Sequence, residues 1–174
     1  MNLPLFACMN SYLIDPFELC RNGDSLKGKT SLSELKRLAA VCADQAGELE
    51  WEVTGAFNGR NQAQLNLGVS GSVNLMCQRC LSPLVFDVDS ETTVLVAKTE
   101  EQADEMEETL GNEDSVEVIV ADGKINVLDL IEDEALLFLP LSSRHEMCPD
   151  SSAGGLKNDM DSPFSVLGKL KKKE

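Results

Sequence analysis

AQLNLGVSGSVNLMCQRC, residues 63–80, alternates apolar and polar or small side chains over most of its length. A period of two is typical of a β-strand that buries one face and exposes the other. Gly68 and Gly71 predict a bulge or bend, because a strand of this length must curl to stay over a core. The stretch therefore predicts one long arm of an antiparallel sheet, ending in a CxxC motif.

Two further stretches with the same period flank this arm. Residues 49–54 alternate in the same way before it, and Asn58-Gly59 marks a tight turn between the two strands. Alternation resumes after the CxxC motif over residues 84–96. Three long sequential strands predict a curved antiparallel sheet, a meander with a barrel-like form as one option.

Two short helices are predicted to cover this sheet, which makes the fold class α+β. Ser31 and Glu34 have capping-box spacing, and apolar residues over 35–42 then share one helical face. Asn126 predicts the N-cap of a second helix, which Pro140 ends. We expect the chain before Ser31 to be irregular.

The segment between the third strand and the second helix is dominated by acidic residues. Nine acidic side chains and no basic one lie between Glu100 and Glu117. Such a run of like charge predicts a mobile acidic loop rather than a packed element. Residues 116–120 then predict a short strand, and Asp122-Gly123 a turn.

The end of the chain differs in composition from the rest. We predict a single α+β domain over residues 1–150, because a chain of 174 residues is long enough for one core. Residues 151–162 are rich in Ser, Gly, Asp and Asn and predict a linker, followed by a short basic helix near the C-terminus. A frayed end is the alternative. The residues that we predict to contact a partner are Pro163, Phe164, Leu167, Leu170, Lys171, Lys172 and Lys173.

The chain is strongly acidic, with 30 Asp and Glu residues against 15 Lys and Arg residues and a formal net charge of −15. Phosphate repels such a polyanion, so broad binding to nucleic acid is disfavoured. A basic protein, such as one that itself holds RNA, is a better electrostatic match. The alternative is that the charge serves only solubility.

The N-terminal segment lacks the pattern of an export signal. Its first basic residue is Arg21, so the charged n-region is missing. Apolar runs also stay below the roughly 18 residues that a transmembrane helix needs. We therefore expect a soluble cytoplasmic protein. Its six cysteines would then lie in a reducing compartment, where close pairs bind metal or carry out redox chemistry more often than they form structural disulfides.

Four potential metal ligands occur in two pairs with the same spacing. Cys77 and Cys80 lie between two predicted strands, as in a metal-binding knuckle, and His145 and Cys148 follow after Pro140. Together they predict a tetrahedral zinc site with three sulfur ligands and one nitrogen ligand. Thiols without a metal are the alternative. A thioredoxin-like redox pair is less favoured, because such pairs use a helix N-terminus and this one is followed by a strand.

Motifs of the common enzyme classes are missing from the sequence. It contains no Walker A loop, GxGxxG, HExxH or nucleophile elbow. His145 is the single histidine, and the metal hypothesis already uses it. Most carboxylates lie in the acidic segment or on the solvated side of strands, where they are usually not catalysts. We predict no catalytic residues and no enzymatic activity.

Direct RNA binding through the sheet and the basic tail is a second functional hypothesis, with Arg79 as a contact. The chain contains one Trp, one Tyr and six Phe residues. Proteins that read RNA on a sheet stack bases on exposed aromatic rings. The small number of aromatic residues and the negative charge therefore weigh against this hypothesis.

The order of these motifs resembles the YceD family, also called the large ribosomal RNA subunit accumulation proteins. A long strand leads into CQRCL at residues 77–81, and an acidic segment follows. A helix with Glu132-Asp133-Glu134 then ends at Leu139-Pro140, before a closing PFxxLxxLKK pattern. The CQRCL segment and the closing pattern are fairly specific when they occur in this order. The resemblance spans roughly Leu35 to Lys173.

The resemblance implies a cytoplasmic bacterial or organellar factor needed for accumulation of the large-subunit (23S) ribosomal RNA, with no established catalytic activity. Some members look richer in cysteine after the Leu-Pro, where this chain offers His145 and Cys148. Joining the resemblance to the charge, we predict that the acidic body binds a basic ribosomal protein or assembly factor of the large subunit. Contact with ribosomal RNA would be indirect, and no membrane is involved.

Overall fold

The secondary structure is that of a computed structural model, which describes residues 12–110 and 116–148. The predicted α+β class is confirmed. The described residues contain four α-helices, where two were expected; the predicted C-terminal helix lies outside these residues. In chain order the elements are β1 (Leu13–Ile14), α1 (Pro16–Asn22), β2 (Ser25–Ser31), a short 3-10 helix (Leu32–Glu34), α2 (Lys36–Val41), β3 (Glu48–Phe57), β4 (Ala63–Met76), β5 (Pro83–Ala97), α3 (Glu100–Leu110), β6 (Glu117–Val120), β7 (Ile125–Asn126) and α4 (Val127–Phe138).

The main sheet has five strands in the order β2-β3-β4-β5-β6, and β1 pairs with β7 in a separate two-stranded sheet. The predicted antiparallel meander is confirmed for β2 to β5. The turn at Asn58 is also confirmed, since its side chain accepts hydrogen bonds from the amides of Arg60 and Gln62. β2 and β6 lie at opposite edges of this sheet, so it is open and the barrel-like form is not adopted.

One face of the sheet carries the core, as the period of two requires. Leu49, Leu65 and Val73 are 0–1% exposed and belong to a single apolar cluster. α4 packs on this face through Ile131 and Ala135, both fully buried. Asn126 caps α4 as predicted, because its side chain accepts from the amide of Leu128.

Residues 13–31 form regular elements, so the prediction of an irregular opening was wrong for this part of the chain; residues 1–11 lie outside the described residues. α1 has strong local signals: Asp15 accepts from the amide of Phe17, Pro16 occupies the first turn, and Gly23 ends the helix with φ of +66°. β2 is an edge strand with weak alternation. Gly28 is needed there because a Cβ would lie 2.4 Å from the Trp51 ring.

The predicted bulge at the glycines of β4 is absent. Pairing with β3 and β5 continues through both residues without an inserted position: Gly68 faces Glu52 and Glu91, and Gly71 faces Leu49. Gly71 instead permits close approach of the two strands. A Cβ there would lie 2.7 Å from the carbonyl oxygen of Glu48.

The prediction of a mobile acidic loop was also wrong, since residues 100–110 form α3. Its apolar side chains Ala103 and Met106 are buried against Leu95 and Ala97 of β5. The acidic side chains face solvent. Because α3 brings the chain back to the start of the adjoining strand, β6 pairs with β5 in parallel, which the predicted meander had not anticipated. Residues 111–115 lie outside the described chain.

The first turn of α2 is capped from another helix and not by the predicted capping box. Ser31 caps the preceding 3-10 helix, and the residue at the N-cap of α2 makes no side-chain cap. The buried carboxylate of Glu132 on α4 instead accepts from the amides of Arg37 (2.6 Å) and Leu38 (3.1 Å). It also pairs with the Arg37 guanidinium at 2.8 Å. Glu132 therefore fixes α2 to α4.

Replacing Glu132 with alanine leaves two backbone amides without an acceptor, so the free energy of unfolding should fall by about 2 to 3 kcal/mol. Asp133→Ala removes an exposed partner of the same arginine and is the matched control. It should cost less than about 1 kcal/mol. Urea unfolding of the two variants measures both values, and equal losses would contradict the capping role of Glu132.

The same contact should make stability depend on pH. Burial alone would raise the pKa of Glu132, but hydrogen bonds from Leu38 and Arg37 lower it below its ordinary value. Because the pKa of Glu132 is lower in the folded than in the unfolded protein, its ionised carboxylate stabilises the fold fully above the unfolded pKa of about 4.3. This stabilisation is lost as the pH falls through the folded pKa. The stability difference between the wild type and Glu132→Ala should therefore shrink below about pH 4.3 in urea unfolding. A constant difference would argue against an ionised Glu132.

Candidate metal centre and open sheet face

The CxxC motif forms the turn between β4 and β5. The amide of Cys77 donates to the carbonyl of Ser82 at 3.0 Å, and the amide of Leu81 donates back to Cys77 at 2.9 Å. Leu81 takes the left-handed conformation, with φ of +57°, which closes the turn tightly. The predicted knuckle between two strands is thus formed, with the side chain of Cys77 buried and that of Cys80 half-buried.

The segment after α4 is held against this turn by hydrogen bonds to Gln78. The amide of Gln78 donates to the carbonyl of Ser143 at 2.9 Å. The side-chain amide of Gln78 also accepts from Ser142 and lies 3.4 Å from the carbonyl oxygen of Leu141. Gln78, inside the CxxC motif, therefore brings the HxxC motif to the turn. No sequence motif indicates this positioning role of Gln78.

The structure brings together all four predicted ligands. Their ligand atoms, on Cys77, Cys80, His145 and Cys148, all lie within 4.8 Å of one another. The Sγ atoms of Cys77 and Cys148 are 4.0 Å apart, and Sγ of Cys80 is 3.4 Å from Nδ1 of His145. In a tetrahedral site with Zn–S bonds of about 2.3 Å, two sulfur ligands lie about 3.8 Å apart. The cluster can hold a metal ion of this kind.

The orientation of His145 is set by a hydrogen bond from the ring nitrogen that does not face the thiols. Its Nε2 lies 3.2 Å from the carbonyl oxygen of Pro83, which can only accept a hydrogen bond. Nε2 therefore carries a proton, which leaves Nδ1, the ring nitrogen next to the sulfur atoms, as the atom that could bind a metal ion. Metal-binding histidines commonly have such a second partner.

The thiols of the cluster differ in acidity. Burial alone would raise the pKa of Cys77, but hydrogen bonds from the amides of Cys80, His145 and Arg79 lower it to about 5. Burial, followed by the neighbouring Cys80 and Cys77, raises the pKa of Cys148 to about 11. The cluster thus favours a thiolate at Cys77 and opposes one at Cys148, and a bound cation would stabilise the thiolate of Cys148.

The remaining predicted contact residues are Arg79, inside the CxxC motif, and those of the C-terminal tail. Arg79, proposed as an RNA contact, is exposed at the tip of the turn. The tail residues from Pro163 to Lys173 lie outside the described chain, as does the predicted linker. Among the described residues, no helix is both long and apolar enough to cross a membrane.

The face of the sheet opposite the core was not singled out from the sequence. Over β3 and β5 it carries two rows of acidic side chains, Glu50 and Glu52 on one strand and Asp87, Asp89 and Glu91 on the other. The register places Glu52 and Glu91 on either side of Gly68. The period-two spacing of these acids was visible in the sequence, but which of them share a face across strands depends on the register.

Taken together, these features define an α+β protein with a Cys3His cluster at the end of a long β-hairpin. The chain belongs to the family described as "Large ribosomal RNA subunit accumulation protein YceD", which matches residues 65–171. The match includes all four cluster residues and begins within β4. The predicted membership is confirmed.

A curated relative from Haemophilus influenzae has the same description. It is named "Large ribosomal RNA subunit accumulation protein YceD" and is 26% identical over 169 residues. The alignment covers 92% of this chain and 95% of the relative. No solved structure matches the chain.

Proposed function

We propose that this protein is a non-enzymatic factor in biogenesis of the large ribosomal subunit, and that it promotes accumulation of 23S ribosomal RNA. Family membership carries this proposal, since both the family and its Haemophilus influenzae member are named for large ribosomal RNA subunit accumulation. The factor would act by binding a basic ribosomal protein or assembly factor. The formal net charge of −15 supports a cationic partner, because opposite charges speed encounter and select against acidic competitors.

A binding role is supported by the structural contacts that Glu132 and His145 make. Glu132 is the buried carboxylate of the described chain, and it is occupied in capping α2. The single histidine lies in the thiol cluster with its second nitrogen at a carbonyl oxygen. These groups are engaged in holding the structure together, which fits a scaffold that binds and does not catalyse.

The Cys3His cluster is proposed to hold a structural zinc ion. Four protein ligands complete a tetrahedral shell, which leaves no position for a substrate or an activated water. The ion would join the β4–β5 turn to the segment after α4 and so close a long connection. Burial of Cys77 and Cys148 is consistent with a structural site.

Purified protein should contain about one zinc ion per chain, measured by elemental analysis. Cys80→Ser and His145→Ala should lose most of this zinc and unfold at a lower temperature, because metal binding to a folded site contributes directly to stability. Cys42→Ser is the matched control, since Cys42 is half-buried and outside the cluster. Wild-type protein without metal, with a melting temperature that added zinc leaves unchanged, would rule out the site.

Zinc binding to metal-free protein near neutral pH should release the thiol proton of Cys148. Its pKa of about 11 keeps the thiol protonated at that pH, whereas the metal-bound form is a thiolate. Calorimetry in buffers of different ionisation enthalpy measures the number released, and affinity should fall as pH is lowered. Cys148→Ser should release fewer protons than the wild type. Equal release would mean that Cys148 is not a ligand.

The basic tail is proposed as a second contact with the partner. Removing residues 163–174 should reduce co-sedimentation of the protein with large-subunit precursors, because the tail combines apolar anchors with a lysine cluster. Lys157→Gln, which removes one charge within the predicted linker, is the control and should co-sediment normally. Thermal unfolding should be unchanged in both. If the truncated chain co-sediments as well as the full chain does, the tail is not a contact.

A further inference from the structure

Among the described elements, only α3 lies on the outer face of the main sheet. The described helices α1 and α4 pack against the opposite, core-forming face. α3 lies on the outer face but covers only its far margin, at Leu95 and Ala97. The uncovered part contains an open groove of about 470 Å³, and a second depression of about 390 Å³ shares Glu52, Gly68 and Glu91 with it.

The groove follows β4 because the outward side chains of that strand are small. Gly68 and Ser70 form its floor, while Glu52 and Glu91 rise from the two neighbouring strands. Neighbouring strands are about 4.8 Å apart, so the two walls stand about 10 Å from each other. This width suits one extended polypeptide segment.

The two walls of the groove differ in electrostatic balance. On β3, Glu50 and Glu52 pair with Lys29 and Lys27 of β2. On β5, Asp89 and Glu91 form the wall and Asp87 continues the same row beyond the groove; all three are exposed. Within residues 12–110 and 116–148, no lysine or arginine lies within ion-pair distance of these three. The β5 wall therefore presents uncompensated negative charge.

The three acidic side chains of β5 are regularly spaced, and they lower the strand propensity of β5. Residues on one face of a strand recur about every 6.8 Å, and an extended peptide repeats its own side chains at the same interval. Aspartate is depleted in strands, so two of them with a glutamate on one face of β5 weaken its local preference. A ligand with alternating cations would match all three carboxylates.

Beyond the groove, towards the cysteine turn, the same face of the sheet carries exposed apolar side chains. Val85 continues the outward phase of β5 towards the cysteine turn and is 68% exposed. Met76, outward on β4, is 42% exposed and pairs with Pro83. A segment lying along the acidic wall would reach these residues at one end.

We propose that this face binds an extended segment of a partner protein with lysine or arginine at every second position and an apolar residue at the end near the cysteine turn. The inference rests on the proposed function, because it assigns the surface and the chemistry of the cationic partner. Charge complementarity favours a basic peptide over RNA, since the carboxylate row repels phosphate.

The test uses full-length protein and two labelled peptides of equal composition. In one, lysine and threonine alternate, with a terminal leucine; in the other, the lysines are contiguous. Fluorescence anisotropy across a salt series should show tighter binding of the alternating peptide. The triple variant Asp87→Asn, Asp89→Asn, Glu91→Gln should bind it roughly tenfold more weakly, because each exposed charge pair contributes modestly.

The matched control is Glu101→Gln, Asp104→Asn, Glu108→Gln, which removes the same charge from the exposed face of α3. It should bind the alternating peptide within about twofold of the wild type. Equal weakening by both triple variants, equal affinity for both peptides, or tighter binding of a ribosomal RNA fragment than of the peptide would overturn the proposed surface.

Co-sedimentation with large-subunit precursors separates this inference from the proposed function. If the wild type and the β5 triple variant associate equally with precursors, the proposed surface is wrong and the role in subunit biogenesis stands. If the wild type associates with no ribosomal component but binds the alternating peptide, the surface stands and the proposed function fails.

Discussion

The pairing of β4 with β5, continuous from Ala63–Val96 to Met76–Pro83, is the constraint on which the rest of the structure depends. It sets which side chains of both strands face the core, and at its closed end it forms the turn that carries Cys77 and Cys80. A shift of one residue would turn the acidic row of β5 towards the core and its valines towards solvent. Burying three carboxylates is costly enough to exclude that alternative.

The two faces of the sheet differ in composition and in exposure to solvent. The core face is covered by helices and filled with aliphatic side chains, so it supplies the stability of the fold. The outer face keeps its carboxylates in water, where they cost little and remain available. In the proposed role, a cationic partner would bind the outer face without a rearrangement of the core.

Two long-range contacts join the segments that the sheet does not connect. Glu132 links α2 to α4 by accepting two backbone amides, and the Cys3His cluster links the β4–β5 turn to the chain after α4. Both are polar contacts between residues far apart in sequence. Each closes a large loop, so each must offset the entropy lost when distant segments of the chain are brought together.

The sequence by itself determined the long strands, the turn at Asn58, the N-cap at Asn126 and the family, because these depend on local periodicity or short motifs. It also identified the four cluster residues from their matching spacing. It did not determine α3, because Ala103 and Met106 stabilise this helix only by packing against β5. It did not determine β2 either, because that strand depends on pairing with β3. The register across strands, the cap on α2 and the acidic groove were decided by the tertiary structure alone, because each joins residues that only folding brings within contact distance.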